Sequence, residues 1–229
     1  MSVHLQREIE RLKKSVLSLC ALVEEQAQIA VRALLDRDEE AAQEVQRRDI
    51  DIDQREVEVE EDCLKILALY QPVAADLRFI ISALKINNDL ERIGDLAVNI
   101  ARKAATFAGL PPMEIPFDLS GMWLKVQSML RDSIDALVNL DAMLANDVCG
   151  RDDEVDRMKH DFRYRAEEMI RVDPEKTSTL LTLVAVSRNL ERIADHATNI
   201  AEDVIYMVQG TIVRHVTVED DEIDPIRPR

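Results

Sequence analysis

Apolar residues recur along this chain in steps of three and four, the spacing at which side chains share one face of an α-helix. Leu5, Ile9, Leu12, Val16, Leu19, Val23, Ala27, Ala30 and Leu34 keep that period for about eight turns. The polar cluster Asp36-Arg37-Asp38 ends this helix and caps the next, which runs through Val45, Ile52, Val59, Ile66 and Leu69. Gln71-Pro72 starts a third helix, with Pro in the first turn where its missing N–H costs least. It continues to about Ala108, before Gly109. A helix of about 35 residues is roughly 50 Å long at 1.5 Å per residue.

Between Gly109 and Phe117 lie Gly109, Pro111, Pro112 and Pro116, the strongest breaker cluster in the chain. Three helices are expected again beyond it, over about Leu119–Ala145, Asp147–Val172 and Pro174–Val208, with Asp173-Pro174 as the counterpart of Gln71-Pro72. Short connections make neighbouring helices antiparallel. The pattern therefore predicts an all-α chain of two tandem antiparallel three-helix bundles, at 1–110 and 111–210, with an acidic tail at 211–229. Composition agrees: 5 Gly, 7 Pro and 3% aromatic residues in 229 leave little material for turns or sheets.

The two halves are copies. Leu90–Ala101 and Leu190–Ala201 differ only at Gly94/Ala194, Leu96/His196 and Val98/Thr198, so nine of twelve positions match. Such density marks a tandem duplication, related by an approximate internal twofold, and repeats govern the fold. In the second helices Arg48-Asp49 aligns with Arg151-Asp152 at an offset of 103, three more than in the third helices. The shorter connection before Pro174 absorbs the difference.

A net charge of −16 opposes nucleic-acid binding, which depends on Lys and Arg releasing counterions from phosphates. Cations or basic partner surfaces fit it better. Cys20, Cys63 and Cys149 show no C-x-x-C pair or zinc spacing and read as buried small hydrophobes in a reducing compartment. The amphipathic start is unlike a signal peptide, and no apolar run reaches the length of about 18 residues that a membrane span needs. A cytoplasmic location is expected, with the membrane reached only through partners.

The repeated segment carries paired carboxylates. Residues four apart share a helix face, so Glu91 with Asp95 and Glu191 with Asp195 project together, and Asn99 and Asn199 continue the stripes. The second helices supply Asp49 with Asp53 and Asp152 with Asp156. Antiparallel packing brings these pairs together, and a multivalent cation would relieve their repulsion. Hard oxygen donors suit Mg²⁺, Mn²⁺, Ca²⁺ or iron, and divalent or trivalent iron, manganese, magnesium or zinc are the candidate ions. The alternative is a solvated face neutralised by Arg92, Arg192, Arg48 and Arg151. The halves are not equivalent. Glu56 and Glu60 continue the first stripe where the second meets Lys159 and Arg163, and Arg102 is replaced by Glu202, itself a possible ligand beside Asn99 and Asn199. His196 reads as a packed or solvent-facing side chain, since its counterpart is Leu96. Gly94 and Ala194 are small residues suited to close helix packing.

The run Gln71-Pro72-Val73-Ala74-Ala75-Asp76-Leu77-Arg78, continued by Leu84-Lys85-Ile86-Asn87-Asn88-Asp89-Leu90 into Glu91-Arg92-Ile93-Gly94-Asp95, resembles the PhoU family of phosphate-signalling accessory proteins. The duplicated E-R-I-[GA]-D-x-A-x-N-I points the same way, in the two-repeat group. The resemblance covers nearly the whole chain except the tail. It implies two three-helix bundles with metal-binding E/D-x-x-x-D motifs, carried here by Asp49, Asp53, Glu91, Asp95, Asp152, Asp156, Glu191 and Asp195. It also implies a non-enzymatic negative regulator of phosphate uptake and of the phosphate-starvation regulon, acting with the ATPase subunit of a phosphate ABC transporter and a phosphate-sensing histidine kinase. A homodimer is expected. This chain departs from the family pattern at Leu96, where His is usual, at Arg102, where Glu is usual, and at Ala194, where Gly is common.

Two other classes compete. A carboxylate-bridged, iron-handling bundle would need Glu-x-x-His from two helices, and the chain has none. A metal-free helical adaptor would leave all four pairs without ions. No Gly-rich phosphate loop and no nucleophile with an identifiable base is evident.

Overall fold

The computed structural model describes residues 3–111, 113 and 115–211, and the regular elements among them are all helical. The expected tail lies outside the described residues, apart from Thr211. Helices α1 (Val3–Asp36), α2 (Glu39–Tyr70) and α3 (Ala74–Ala108) form one bundle. Helices α4 (Leu119–Asn139), α5 (Ala142–Gly150), α6 (Asp152–Val172) and α7 (Thr177–Gln209) form the second, with a 3-10 turn at Pro174–Lys176 leading into α7. Two repeated helical bundles are what the pattern predicts.

The helix ends show where periodicity misleads. After α1, Arg37 turns left-handed (φ 56°), Asp38 N–H donates to Ala33 O at 2.8 Å, and Asp38 Oδ1 accepts from Ala41 N at 3.0 Å. The same turn recurs 103 residues on. Leu140 is left-handed (φ 52°), Asp141 N–H donates to Ala136 O at 2.9 Å, and Asp141 Oδ1 caps the N–H groups of Met143 and Leu144. The first break of the second half therefore falls at Leu140-Asp141, not between Ala145 and Asp147. A cap satisfies orphaned N–H groups without interrupting the apolar period, so the period alone misplaces it. The equivalent of α2 is itself broken at Arg151, where Arg151 N–H to Val148 O and Glu154 N–H to Arg151 O tighten one turn into i→i−3 bonding. Gln71 adopts φ 48°, and α3 starts at Ala74 rather than at Gln71-Pro72. The residue before proline avoids the α region, so the helix cannot run through it.

Helix α2 buries a narrow seam: Ala42, Val45, Ile52, Val59, Cys63 and Ile66. Steps of three and four through these residues place Asp49 and Glu56 on the same seam, the a/d geometry of a coiled coil. Leu69, placed on the apolar face by its spacing, is instead exposed near the end of α2. Helices α3 and α7 are buried on broader faces, because each packs within its own bundle and against the other. They run antiparallel: Lys85 Nζ meets Asp203 Oδ1 at 3.1 Å, while Asp89 Oδ1 meets His196 Nδ1 at 2.8 Å and Asn199 Nδ2 at 3.2 Å. As one index rises the other falls.

Cys20 and Cys63 are buried, and burial pushes each thiol up to about 12. Cys149 is only half-buried, and burial raises its thiol to about 11. High thiol pKa values disfavour thiolate chemistry at all three.

Candidate functional site

Carboxylates stand at positions of a helix seam where burial would favour hydrocarbon. Asp49 is one residue of the α2 seam that faces α3, and the backbone of α3 comes close there because residue 94 is glycine. A Cβ on Gly94 would lie 3.3 Å from Ile52 Cγ2 and 3.9 Å from Asp49 Oδ1. Ala194, its repeat equivalent, is opposed in sequence by Val155 instead of Ile52.

This approach brings the four carboxylates of the first half into one groove. Burial raises the Asp49 pKa, with further elevation from Asp53 and Asp95, against a hydrogen bond from Gln26 Nε2 at 3.1 Å. Glu91 is raised by burial, then by Asp95, with Glu56 and Asp53 adding to it. Arg92 neutralises part of this charge: its Nη1 lies 3.1 Å from Asp95 Oδ2 and its Nε 3.3 Å from Glu91 Oε2. The second contact is not a hydrogen bond, and Glu91 Oε2 stays buried without one. Arg48 and Arg151 do not serve the pairs beside them. Arg48 binds Glu25 and Glu44, and Arg151 binds Asp132 and Asp147.

The second half gathers its four carboxylates as well, but with a cation among them. Lys159 Nζ lies 2.8 Å from Asp156 Oδ1 and 2.5 Å from Glu191 Oε1. The Lys159 hydrogen bond holds the Asp156 carboxyl below its ordinary range. Asp152 is raised by burial and by Asp156, with Thr198 Oγ1 3.4 Å from its Oδ1. Asp195 stays in contact with solvent, yet loss of hydration along the groove, then Glu191, Asp152 and Asp156, raises it to about 6. An open groove between α6 and α7 is lined by Lys159, His160, Arg163, Arg188, Glu191 and Asp195.

The remaining candidates divide. Asn99 Oδ1 accepts from Arg102 Nη1 at 3.5 Å, at the limit of a hydrogen bond. Asn199 is committed to Asp89 at the contact between the bundles, as is His196. His196 is thus a packed, partnered side chain. Glu202 and Asp152 each lie near Cys149, since both acids raise its thiol after burial.

Among the described residues, no three His, Cys, Asp or Glu side chains are placed to hold a metal ion as they stand. The chemistry of the first groove nevertheless fits one: its oxygen donors repel each other, and the buried Glu91 Oε2 lacks a donor. Closing on an ion would take side-chain rotation, which the solvent-facing Asp53 is free to make. Glu56 and Lys159 were legible only as a change of charge along the stripe. Their importance comes from being seam residues, the repeat-equivalent neighbours of Asp49 and Asp152. Asn87, whose Nδ2 donates to Glu56 O at 3.0 Å and Glu56 Oε1 at 3.2 Å, stood in the sequence only as part of the family-like run, with no role assigned to it.

Comparison with known proteins places these halves in context. A family model described as a PhoU domain matches residues 16–104 and again 119–204. A Pseudomonas aeruginosa protein named phosphate-specific transport system accessory protein PhoU homolog is 41% identical over 214 residues, spanning 91% of this chain and 87% of that protein. The crystal structure of PhoU from Pseudomonas aeruginosa superposes with a TM-score of 0.86 at 40% identity, covering 90% of this chain and 99% of that one. The phosphate transport system regulatory protein PhoU from Streptococcus pneumoniae gives 0.80 at 30% identity, with 91% and 99% covered.

Proposed function

Because the chain belongs to the PhoU domain family, we propose that it is an accessory regulator of a phosphate-specific transport system, and not an enzyme. It damps phosphate uptake and the phosphate-starvation regulon by contacting the transporter ATPase subunit and a phosphate-sensing histidine kinase. The single observation that carries this reading is the match of both repeats, over nearly the whole described chain, to proteins named as accessories of that transport system. The physical setting supports it. No helix among the described residues is long and apolar enough to cross a membrane, so any membrane association would run through partners. A charge of −16 disfavours direct contact with DNA, so control acts upstream of the promoter. Long polar-faced helices offer extended docking surfaces, where charge complementarity sets specificity and on-rate.

In this reading a divalent or trivalent cation is held by Asp49, Asp53, Glu91 and Asp95, and the family pattern extends the assignment to Asp152, Asp156, Glu191 and Asp195. The ion supplies countercharge beyond what Arg92 and Arg102 give the first groove. Deleting the gene from its native host should raise alkaline phosphatase and transporter expression in high phosphate, and the purified chain should retain the transporter ATPase subunit. Normal repression in the deletion strain, together with no retention of the ATPase subunit or the kinase, would overturn the proposal.

A further inference from the structure

We infer that the second repeat carries its own counter-cation covalently, as Lys159, so that only the first carboxylate groove depends on a metal ion from solution. The inference rests on the metal reading above and divides it between the repeats.

Three observations carry it. Lys159 occupies the seam position equivalent to Glu56, two turns beyond Asp152, the half-buried aspartate of its own repeat. Its ammonium group is not a surface charge that happens to lie near acids: it reaches across from α6 to α7 and bonds one carboxylate on each, Asp156 at 2.8 Å and Glu191 at 2.5 Å. A cation bridging these two helices would engage those same oxygens, so Lys159 and a metal compete for them. The first repeat has the opposite chemistry there. Glu56 adds a further carboxylate, and Asn87, which donates to Glu56 Oε1, orients it without neutralising it. Arg92 and Arg102 offset part of the first groove's charge, but from exposed positions beside it, and they leave Glu91 Oε2 without a hydrogen bond. The duplication thus produced one groove closed by a tethered ammonium and one left open to a hard cation.

Mn²⁺ titration of the full chain, counted by electron paramagnetic resonance, tests this together with thermal melts in Mn²⁺ and in chelator. The unaltered chain should bind Mn²⁺, and Asp53→Asn with Glu91→Gln should abolish binding. Asp156→Asn with Glu191→Gln should leave the count unchanged. Lys159→Glu, which restores the first repeat's residue, should raise the count about twofold, because deprotonated oxygen donors set the capacity. It should also make the melting temperature more dependent on Mn²⁺. Glu56→Lys should remove Mn²⁺ from the first groove, and its melt in chelator should match or exceed that of the unaltered chain. Mn²⁺ bound in both grooves of the unaltered chain, with Lys159→Glu adding none, would overturn the division while leaving the metal reading intact. No Mn²⁺ on any form would end the metal reading, and this inference with it.

Discussion

Replacing Gly94 by alanine sets two effects of similar size against each other, and the structure decides between them. Alanine in a helix interior is favoured over glycine by about 1 kcal/mol. The added methyl, however, would lie 3.3 Å from Ile52 Cγ2 and 3.4 Å from Ile52 Cδ1. Ile52 is 2% exposed and cannot swing into solvent to make room. Overpacking of this kind costs roughly 1–3 kcal/mol, so Gly94→Ala should destabilise the chain by up to about 2 kcal/mol. Ile52→Val alone removes a buried methylene and should cost about 0.5–1.5 kcal/mol. Combined, the two changes reproduce the Ala194/Val155 pairing of the other repeat. Valine keeps the Cγ2 that lies nearest the new methyl, but without Cδ1 it has room to shift away, so the double variant should be more stable than the sum of the singles by about 1 kcal/mol. Urea unfolding followed by far-ultraviolet circular dichroism, on the unaltered chain, both singles and the double, yields this coupling directly. If the effects add to within about 0.3–0.5 kcal/mol, then the Gly94–Ile52 contact does not set how closely α2 and α3 approach. The account of why Asp49 reaches the groove would then fail with it.

Acidification should stabilise the grooves before it harms the protein. Asp195, at about 6, and the raised Asp49, Glu91 and Asp152 take up protons in the fold at pH values where an unfolded carboxylate stays charged. Stability therefore rises as pH falls from above 6 toward the ordinary carboxylate range; melting at low ionic strength in chelator should show it, and Asp195→Asn should flatten the slope. A melting temperature that falls over that window would refute the repulsion. The capping turn at Asp141 satisfies two N–H groups, so Asp141→Ala should cost about 1 kcal/mol in urea unfolding; an unchanged midpoint would mean the break at Leu140 is set by something else. At the contact between bundles, Lys85→Met removes the ammonium group from beside the buried Asp203. It should lower the melting temperature markedly, and Asp203→Asn added to it should recover part of the loss; no recovery would show that the charge of Asp203 is not what the lysine serves.

Local information in the chain was enough to determine which stretches are helical, though not where each helix ends, as well as the duplication and the carboxylate pairs. Steps of three and four mark the buried face of a helix whatever it packs against, and two carboxylates four residues apart share a face in any helix. The seam of α2 was legible in the same way, as Val45, Ile52, Val59 and Ile66 at sevens. The sequence did not reveal which polar residues those faces would meet. Asp89 lies more than a hundred residues from His196 and Asn199, as Lys85 does from Asp203, and no period links them. Only the antiparallel docking of α3 on α7 brings them together. Lys159 is the sharpest case. In sequence it is one basic residue following an acidic stripe; in the fold it stands on a seam position and reaches Glu191 on another helix. Periodicity reports the orientation of a side chain about its own helix axis. Whether a charge there is solvated, paired or left needing an ion depends on the neighbouring helix, and packing alone supplies that.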